Sequence, residues 1–466
     1  MPANQKAMTQ DQAVQLIQLD GAGPQDWRSF GLRWQEWRQR FDRGDWACSW
    51  QGEAWRAGEL AFPSPWGDGE LVTQLGVRRG LVFGYVLQEG NRRALLLPGW
   101  LGGGHELEAV YLLREQVLLL LPASLAPSRW FLLALAELLP ALVTTSPWPE
   151  LLSPQRERRL ILEGHPNFAH QILNVLSALE ALPPGEGALR WVGQAPFGPM
   201  AELYPEHRWL EGEDHGAERG LAVGQSFELP LSQRPDRIPR GLRERIRGFC
   251  EGRMGDGARA LLSEMGSWRA QDGRVLWVSL KTRGAWAGGL PGLVAAWMGL
   301  LLQRGEGLPL LVLDGFSMQA GDSLESCFYG CSLAELLVEE RQQAAQIRAA
   351  LEEIAMPVRE AIGFTLAESI ALGQAVDAYL CHQGTVQHKL GWCQQEVPGV
   401  VHSGSWRSRE GSHPWGGLGG AEPLWLPSEF SEDLEEGPRA AYRFRSDRLA
   451  DGAHWLADKL IWRKDG

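Results

Sequence analysis

His165 and His170 flank Asn167 in the segment Gly164-His165-Pro166-Asn167-Phe168-Ala169-His170. An imidazole of near-neutral pKa can take the proton of an attacking hydroxyl, so either ring is a candidate general base. Asn174, one turn beyond His170, would share its helix face and sit on the acceptor side with Asn167. Two hydrogen-bonded histidines that merely hold a loop are the plainer alternative. A second set of groups follows apolar runs further along the chain. Lys281 and Arg283 come after VLWVSL, and Asp314, Gly315 and Ser317 come after LPLLVL. His382, Gly384, Thr385, Gln387, His388 and Lys389 come after VDAYLC.

Each of these groups has a use at a phosphate or a nucleoside. A lysine and an arginine at a strand end can neutralise a diphosphate, the arginine through its two-pronged fork; a solvated strand-end pair is the alternative. In HQGTVQHK, Gly384 permits close backbone approach and Thr385 can cap the helix that begins there, whose first N–H groups face an anion. His388 and Lys389 in the first turn oppose the helix dipole, which an anionic ligand would offset. Glu368 in GFTLAES suits a helix start and is also a candidate acceptor for ribose hydroxyls. Metal chemistry is not expected: His382, His388, His402, Cys381 and Cys393 fit no zinc-ligand spacing. Neither a P-loop nor a G-x-S-x-G elbow occurs.

The elements that must position these groups are read from pattern. With 466 residues the chain exceeds one compact core, and two or three domains are expected. Hydrophobic residues at 44% and charged residues at 22% exclude wholesale disorder. A net charge of -12 argues against nucleic acid as a partner. The 22 tryptophans serve as core filler or as flat apolar covers for sugars. Six scattered cysteines without CxxC suggest reduced, buried thiols and a reducing compartment. The N-terminus lacks the charged-then-apolar order of a secretory signal, so a cytoplasmic location is expected. The apolar window 117–143 is interrupted by prolines and charges and is read as buried or surface-docking structure, not a span.

Residues 1–150 form a Trp-rich N-terminal region. Its Phe30, Trp34, Trp37 and Phe41 make an aromatic stripe that faces a core, a partner or, peripherally, a membrane surface. Residues 151–265 follow a strand–loop–helix–strand order, with 211–240 read as a long loop. Residues 266–402 alternate strand and helix, ending on GVVHSG as the last strand, and are read as a doubly wound α/β domain. Residues 403–466 contribute a Gly-rich and acidic loop (SEDLEEG) and a terminal helix around HWLADKLIW.

Two segments resemble a known family. GHPNFAHQILNVLSAL is similar to the Asn-Phe-x-His motif and helix of family-61-like (DUF563) glycosyltransferases. GFTLAESIALGQAVDAYLCHQGTVQHKLGW resembles that group's C-terminal block, in which an "Ala-Asp" and a His-Gly-Ala-Gly turn follow a helix. Here Val376-Asp377-Ala378 and His382-Gln383-Gly384-Thr385 take those places, and Lys281-Thr282-Arg283 sits where the family carries a basic pair. The turn departs from the family's usual form. The resemblance implies a GT-B arrangement of two Rossmann-like halves facing a cleft, without an obligatory metal. It implies a nucleotide-sugar co-substrate on the C-terminal half and a saccharide or glycan acceptor near His165 and His170. Lys281, Arg283, His388 and Lys389 would neutralise the leaving diphosphate, with Asp314, Glu368, His382, Gly384, Thr385 and Gln387 around the donor. A non-catalytic carbohydrate- or partner-binding protein on the same scaffold, working through exposed Trp34 or Trp37, is the competing expectation.

Overall fold

The computed structural model describes residues 14–19, 25–101, 104–121, 127–144, 157–165, 167–210, 221–223, 226–283, 286–328, 330–394, 397–404, 418–436, 441–460 and 462. The boundary expected at 150 and most of the Gly-rich stretch after 403 lie outside them. The chain is α/β, with parallel sheets in each of two compact units. One unit holds Met1–Gln194 and Met200–Asp236, the other Ala195–Pro199 and Arg237–Gly466.

In the second unit, six strands run parallel in the order Val358–Glu360, Leu310–Asp314, Val275–Ser279, Ala378–His382, Gly399–His402, Leu424–Trp425. Counted along the chain, that order is third, second, first, fourth, fifth, sixth, the doubly wound arrangement. Its three central strands are buried at every position and apolar up to their last residues, Ser279, Asp314 and His382, as expected of a parallel sheet covered on both faces. Gly399–His402, expected to be last, has Leu424–Trp425 beyond it. The acidic run expected as a loop begins as the strand Ser431–Asp433, paired antiparallel with Tyr442–Phe444. The terminal helix Leu449–Lys459 packs on Leu290–Gln303 through Leu293, Trp297, Ala453 and Leu456.

The first unit contains a four-stranded parallel sheet in the order Arg208–Trp209, Ala188–Gly193, Glu157–Gly164, Ser226–Pro230. Ser226–Pro230 falls in the segment expected as a loop. Its charged flanks hide a strand whose five residues are all buried. The same unit carries a seven-stranded sheet built mainly from the antiparallel run Gly76–Arg79, Val82–Glu89, Arg92–Pro98, Leu107–Leu112 and Val117–Leu120. Helix Ser128–Thr144 covers this sheet through Phe131, Ala134, Leu135 and Leu138. Among the described residues, no helix is long and apolar enough to cross a membrane.

The aromatic stripe of helix Gln25–Gln39 turns into the unit's own core. Phe30, Trp34 and Trp37 are buried and close edge-on around Phe62, with ring centroids 4.9–6.4 Å away. Arg33, between them, reaches the carbonyls of Ser64 and Gly67 at 3.1 and 2.6 Å. A working surface made of exposed Trp34 or Trp37 is therefore overturned: both rings are consumed by packing. Replacing Trp34 by alanine leaves a cavity in this cluster and is expected to cost roughly 3–5 kcal/mol. Urea unfolding of the variant measures it, and a loss below about 1 kcal/mol would contradict the packing described.

Candidate functional site

The winding of the six-stranded sheet reverses between Val275–Ser279 and Ala378–His382. Loops leaving the carboxyl ends of those two strands diverge there, and the gap is where open parallel sheets take ligands. Leu280–Arg283 and Gln383–Thr385 are the two loops. Lys281, Thr282, Gly384 and Thr385 are half-buried at their surface. Gly384 has φ +126°, an angle L side chains rarely adopt, and a Cβ there would meet no atom within 4 Å. The helix Thr385–Gly391 has this glycine at its N-cap and makes no side-chain cap bond, so Thr385, expected as the cap, is instead its first helical residue. Lys281 supplies positive charge, which reaches His402 at the end of the adjoining strand: burial first, then Lys281, push that imidazole down to about 3. His402 Nδ1 and the Tyr442 hydroxyl are hydrogen-bonded at 2.5 Å.

Other residues expected here point elsewhere. Lys389 is buried, its ammonium paired with the equally buried Asp314 carboxylate and donating to the Gly315 carbonyl at 3.1 Å and Ser317 Oγ at 2.8 Å. His388 is buried and stacks on Trp392, with ring centroids 3.7 Å apart and 18° between planes. Gln387 donates to the Tyr379 hydroxyl at 2.9 Å. Gln387 and Lys389 thus reach strand residues, Tyr379 and Asp314, while His388 packs against Trp392 at the end of its own helix. His382 takes its backbone hydrogen bond to Ser279 Oγ at 2.7 Å, and its Nδ1 donates to the Gln383 carbonyl. Arg283 is held by both oxygens of Glu339, at 2.8 and 2.5 Å. Glu368 completes a capping box with Thr365 and accepts from Gly255 N at 3.0 Å, so its carboxylate serves the helix start and a neighbouring loop. Cys381 and Cys393 are buried thiols raised to about 12 by that burial. Cys48 and Cys327, expected to be buried with them, are exposed.

The first unit's parallel sheet repeats the reversal. In chain order it runs third, second, first, fourth, and its switch lies between Glu157–Gly164 and Ser226–Pro230. His165 follows the first of these strands, and Leu231, Ser232 and Gln233 follow the other. Asn167 caps the turn by accepting from Ala169 N at 3.0 Å, and His165 Nδ1 accepts from Asn167 N at 2.9 Å. In a neutral ring that leaves the proton of His165 on Nε2, as a donor. The His165 and His170 rings meet edge to face at 5.0 Å. Burial first, then the neighbouring His165, lower His170 to about 4, against the opposing pulls of the Asn174 amide and the Glu163 carboxylate. His165 is also lowered, chiefly by burial. Asn174 lies in a π-helical turn, Gln171–Leu176, a local widening found often at functional sites. Its amide donates to the Gln233 carbonyl at 2.8 Å.

Sequence reasoning missed the groups that hold this site. His105, in the left-handed region at φ +52°, sits between Glu163 Oε2 at 2.6 Å and Ser232 Oγ at 2.8 Å. A carboxylate only accepts, so His105 Nε2 carries a hydrogen there. All three side chains are buried. The run Gly102-Gly103-Gly104 before His105 was the available signal: glycines where a backbone must approach closely. At Gly104, whose φ is +75°, a Cβ would fall 3.3 Å from the backbone carbonyl carbon of Gln233.

One buried acid, Glu340, makes the stability of the second unit depend on pH. Gly315 lies so close to Glu340 that a Cβ would fall 2.1 Å from Oε2, and Glu340 Oε1 accepts from Phe316 N at 2.8 Å. Burial raises Glu340 to about 8; Asp314 and Glu339 push the same way, and Phe316 N–H and Lys389 oppose. The folded state therefore holds a proton that the unfolded chain releases near its ordinary carboxylate pKa. Stability from this group is full at low pH and is lost as pH rises toward about 8, by up to about 1.4 kcal/mol per pH unit. Glu340→Gln is expected to flatten that decline. Denaturant midpoints from pH 5 to pH 8 that fall equally in both proteins would contradict it.

No protein-family model matches the chain, and no curated protein matches it either. The resemblance to family-61-like transferases thus rests on its two motifs. Among solved structures, the chain is similar to a glycosyl transferase family 9 protein from Veillonella parvula DSM 2008. Identity is 11%, with 59% of this chain and 87% of that chain covered and a TM-score of 0.32. It is also similar to the E. coli ADP-heptose lps heptosyltransferase II, at 12% identity, 64% and 98% coverage and a TM-score of 0.34.

Proposed function

We propose that the protein is a GT-B-type glycosyltransferase that moves a sugar from a nucleotide-sugar donor to an acceptor hydroxyl in polysaccharide or glycan assembly. The observation that carries this reading is the pair of switch points, one offering cation and open backbone, the other two neutral imidazoles. The nucleotide belongs at the second unit, where Lys281 faces the diphosphate and Gly384 and Thr385 line the opposite loop. The acceptor belongs at the first unit. His170 takes the hydroxyl proton, and His165 Nε2–H and Asn167 orient the sugar. A base near 4 is weak, but a hydroxyl becomes acidic as its bond to the anomeric carbon forms, so a late proton transfer suffices. No metal is required where Lys281 supplies positive charge to the leaving group.

One observation favours the non-catalytic alternative. Of the four cations expected at the diphosphate, Arg283 and Lys389 are held by carboxylates and His388 is stacked in the interior. A saccharide-binding protein would tolerate that loss.

A thermal-shift series with UDP, GDP, CMP and their sugars separates the two. A ligand that binds the native state alone adds about 2.7 kcal/mol at a hundredfold excess over its Kd. One nucleotide is expected to shift the melting curve, with at least a tenfold loss of affinity in Lys281→Ala. His170→Ala is expected to keep that shift and to lose roughly 10²–10⁴ in transfer rate. With His170 near 4, the acidic limb of kcat/KM should fall near pH 4 and not near 6.5. Absence of any nucleotide response would sink the transferase reading.

A further inference from the structure

Trp34, Trp50, Trp277, Trp297 and Trp392 are fully buried in this chain, but Trp100 is 43% exposed. It follows the strand Arg92–Pro98 by two residues. Residues 99–101 and 104–106 are tied to one another. Gly99 N donates to the Glu106 carbonyl at 2.7 Å, Gly104 N donates to the Leu101 carbonyl at 2.8 Å, and Leu101 is buried. His105, five residues on, is clamped between Glu163 and Ser232 at the carboxyl edge of the parallel sheet. Gln51 donates to the Gly104 carbonyl at 2.9 Å. The result is an indole held beside His170, with ring centroids 6.1 Å apart and planes inclined by 53°.

We infer that Trp100 is the stacking platform for a saccharide ring, placing an acceptor sugar against His165, Asn167 and His170. The inference deepens the acceptor side of the transferase reading and rests on it for the word acceptor. Every residue of the platform belongs to the first unit. A pyranose has an apolar C–H face and a rim of hydroxyls. An indole face carries the negative side of its quadrupole toward such C–H groups. Beside it, His165 offers an Nε2–H donor and His170 a neutral ring, so the rim finds partners without a charge to desolvate. A scattered exposed aromatic needs no explanation. This one is held by a loop that His105 ties to the switch point itself. Pre-organisation of that kind lowers the ordering cost of binding.

The test uses the full chain and titrates short oligosaccharides of glucose, galactose, mannose and N-acetylglucosamine, following tryptophan fluorescence and ligand-observed NMR. Free nucleosides and UDP serve as controls. At least one saccharide is expected to bind. Trp100→Ala should weaken it tenfold or more, Trp100→Phe should recover most of it, and UDP binding and the melting temperature should be unchanged. Saccharide binding that survives Trp100→Ala overturns the inference, as does failure of every saccharide to bind the native protein. A nucleoside that competes at Trp100 in place of sugar overturns it too. Loss of saccharide binding in Trp100→Ala in a protein that ignores all nucleotides would uphold the platform and remove the transferase reading, so the two fail separately.

Discussion

Both candidate sites depend on one topological constraint, the reversal of winding beside the first strand of a parallel sheet. Parallel neighbours need crossovers of fixed hand, so strands added on opposite sides send their helices to opposite faces. The loops at the reversal must part. Everywhere else along Val275–Ser279 or Leu160–Leu162 the side chains are buried on both faces, and a polar group there would lack a partner. Polar chemistry is thereby confined to strand ends, and the reversal is where a strand end has room beside it. His165 and Gln233 at one switch, Lys281 and Gly384 at the other, follow from that geometry.

Most strands and helices of 275–402 are legible in sequence because largely apolar strands alternate with apolar-faced helices; Val358–Glu360, an edge strand with Arg359 exposed, carries no such pattern and was not expected. Glu368 at a helix start was legible because its capping partner, Thr365, lies three residues away. Partnership over long range was not. Lys389 reads as a first-turn cation, yet its charge goes to Asp314, and no local pattern announces that pairing. Arg283 likewise finds Glu339, on the helix Leu333–Ala350. Two-residue strands such as Leu424–Trp425 have no period to detect. Ser226–Pro230 was hidden by charged, Gly-rich neighbours that mark a connection and say nothing of the strand inside it.

The buried Asp314–Lys389 pair and the neighbouring Glu340 together account for the Asp314-Gly315 sequence. A buried pair is retained only with good geometry and further hydrogen bonds, which Ser317 and the Gly315 carbonyl provide. Glu340 then approaches so closely that no side chain fits at 315. What reads in sequence as an aspartate and a glycine poised at a ligand is, in the folded chain, the partner of a buried lysine followed by the space that the Glu340 carboxyl group needs.

The same electrostatics bear on where a proton acceptor belongs. His402 sits at a strand end within reach of Lys281, and burial with that cation takes it to about 3. An imidazole placed beside the cation that a diphosphate needs would therefore be a poor base. His170 is subject to burial as well, but the charge opposing its fall is a carboxylate, Glu163. That carboxylate is neither loose nor solvated: His105 holds one of its oxygens, and Ser232 holds the far side of the His105 ring. The chain from Ser232 through His105 to Glu163 thus does two jobs with one set of contacts. It anchors the loop that carries Trp100, and it fixes a negative charge where it sustains the basicity of His170.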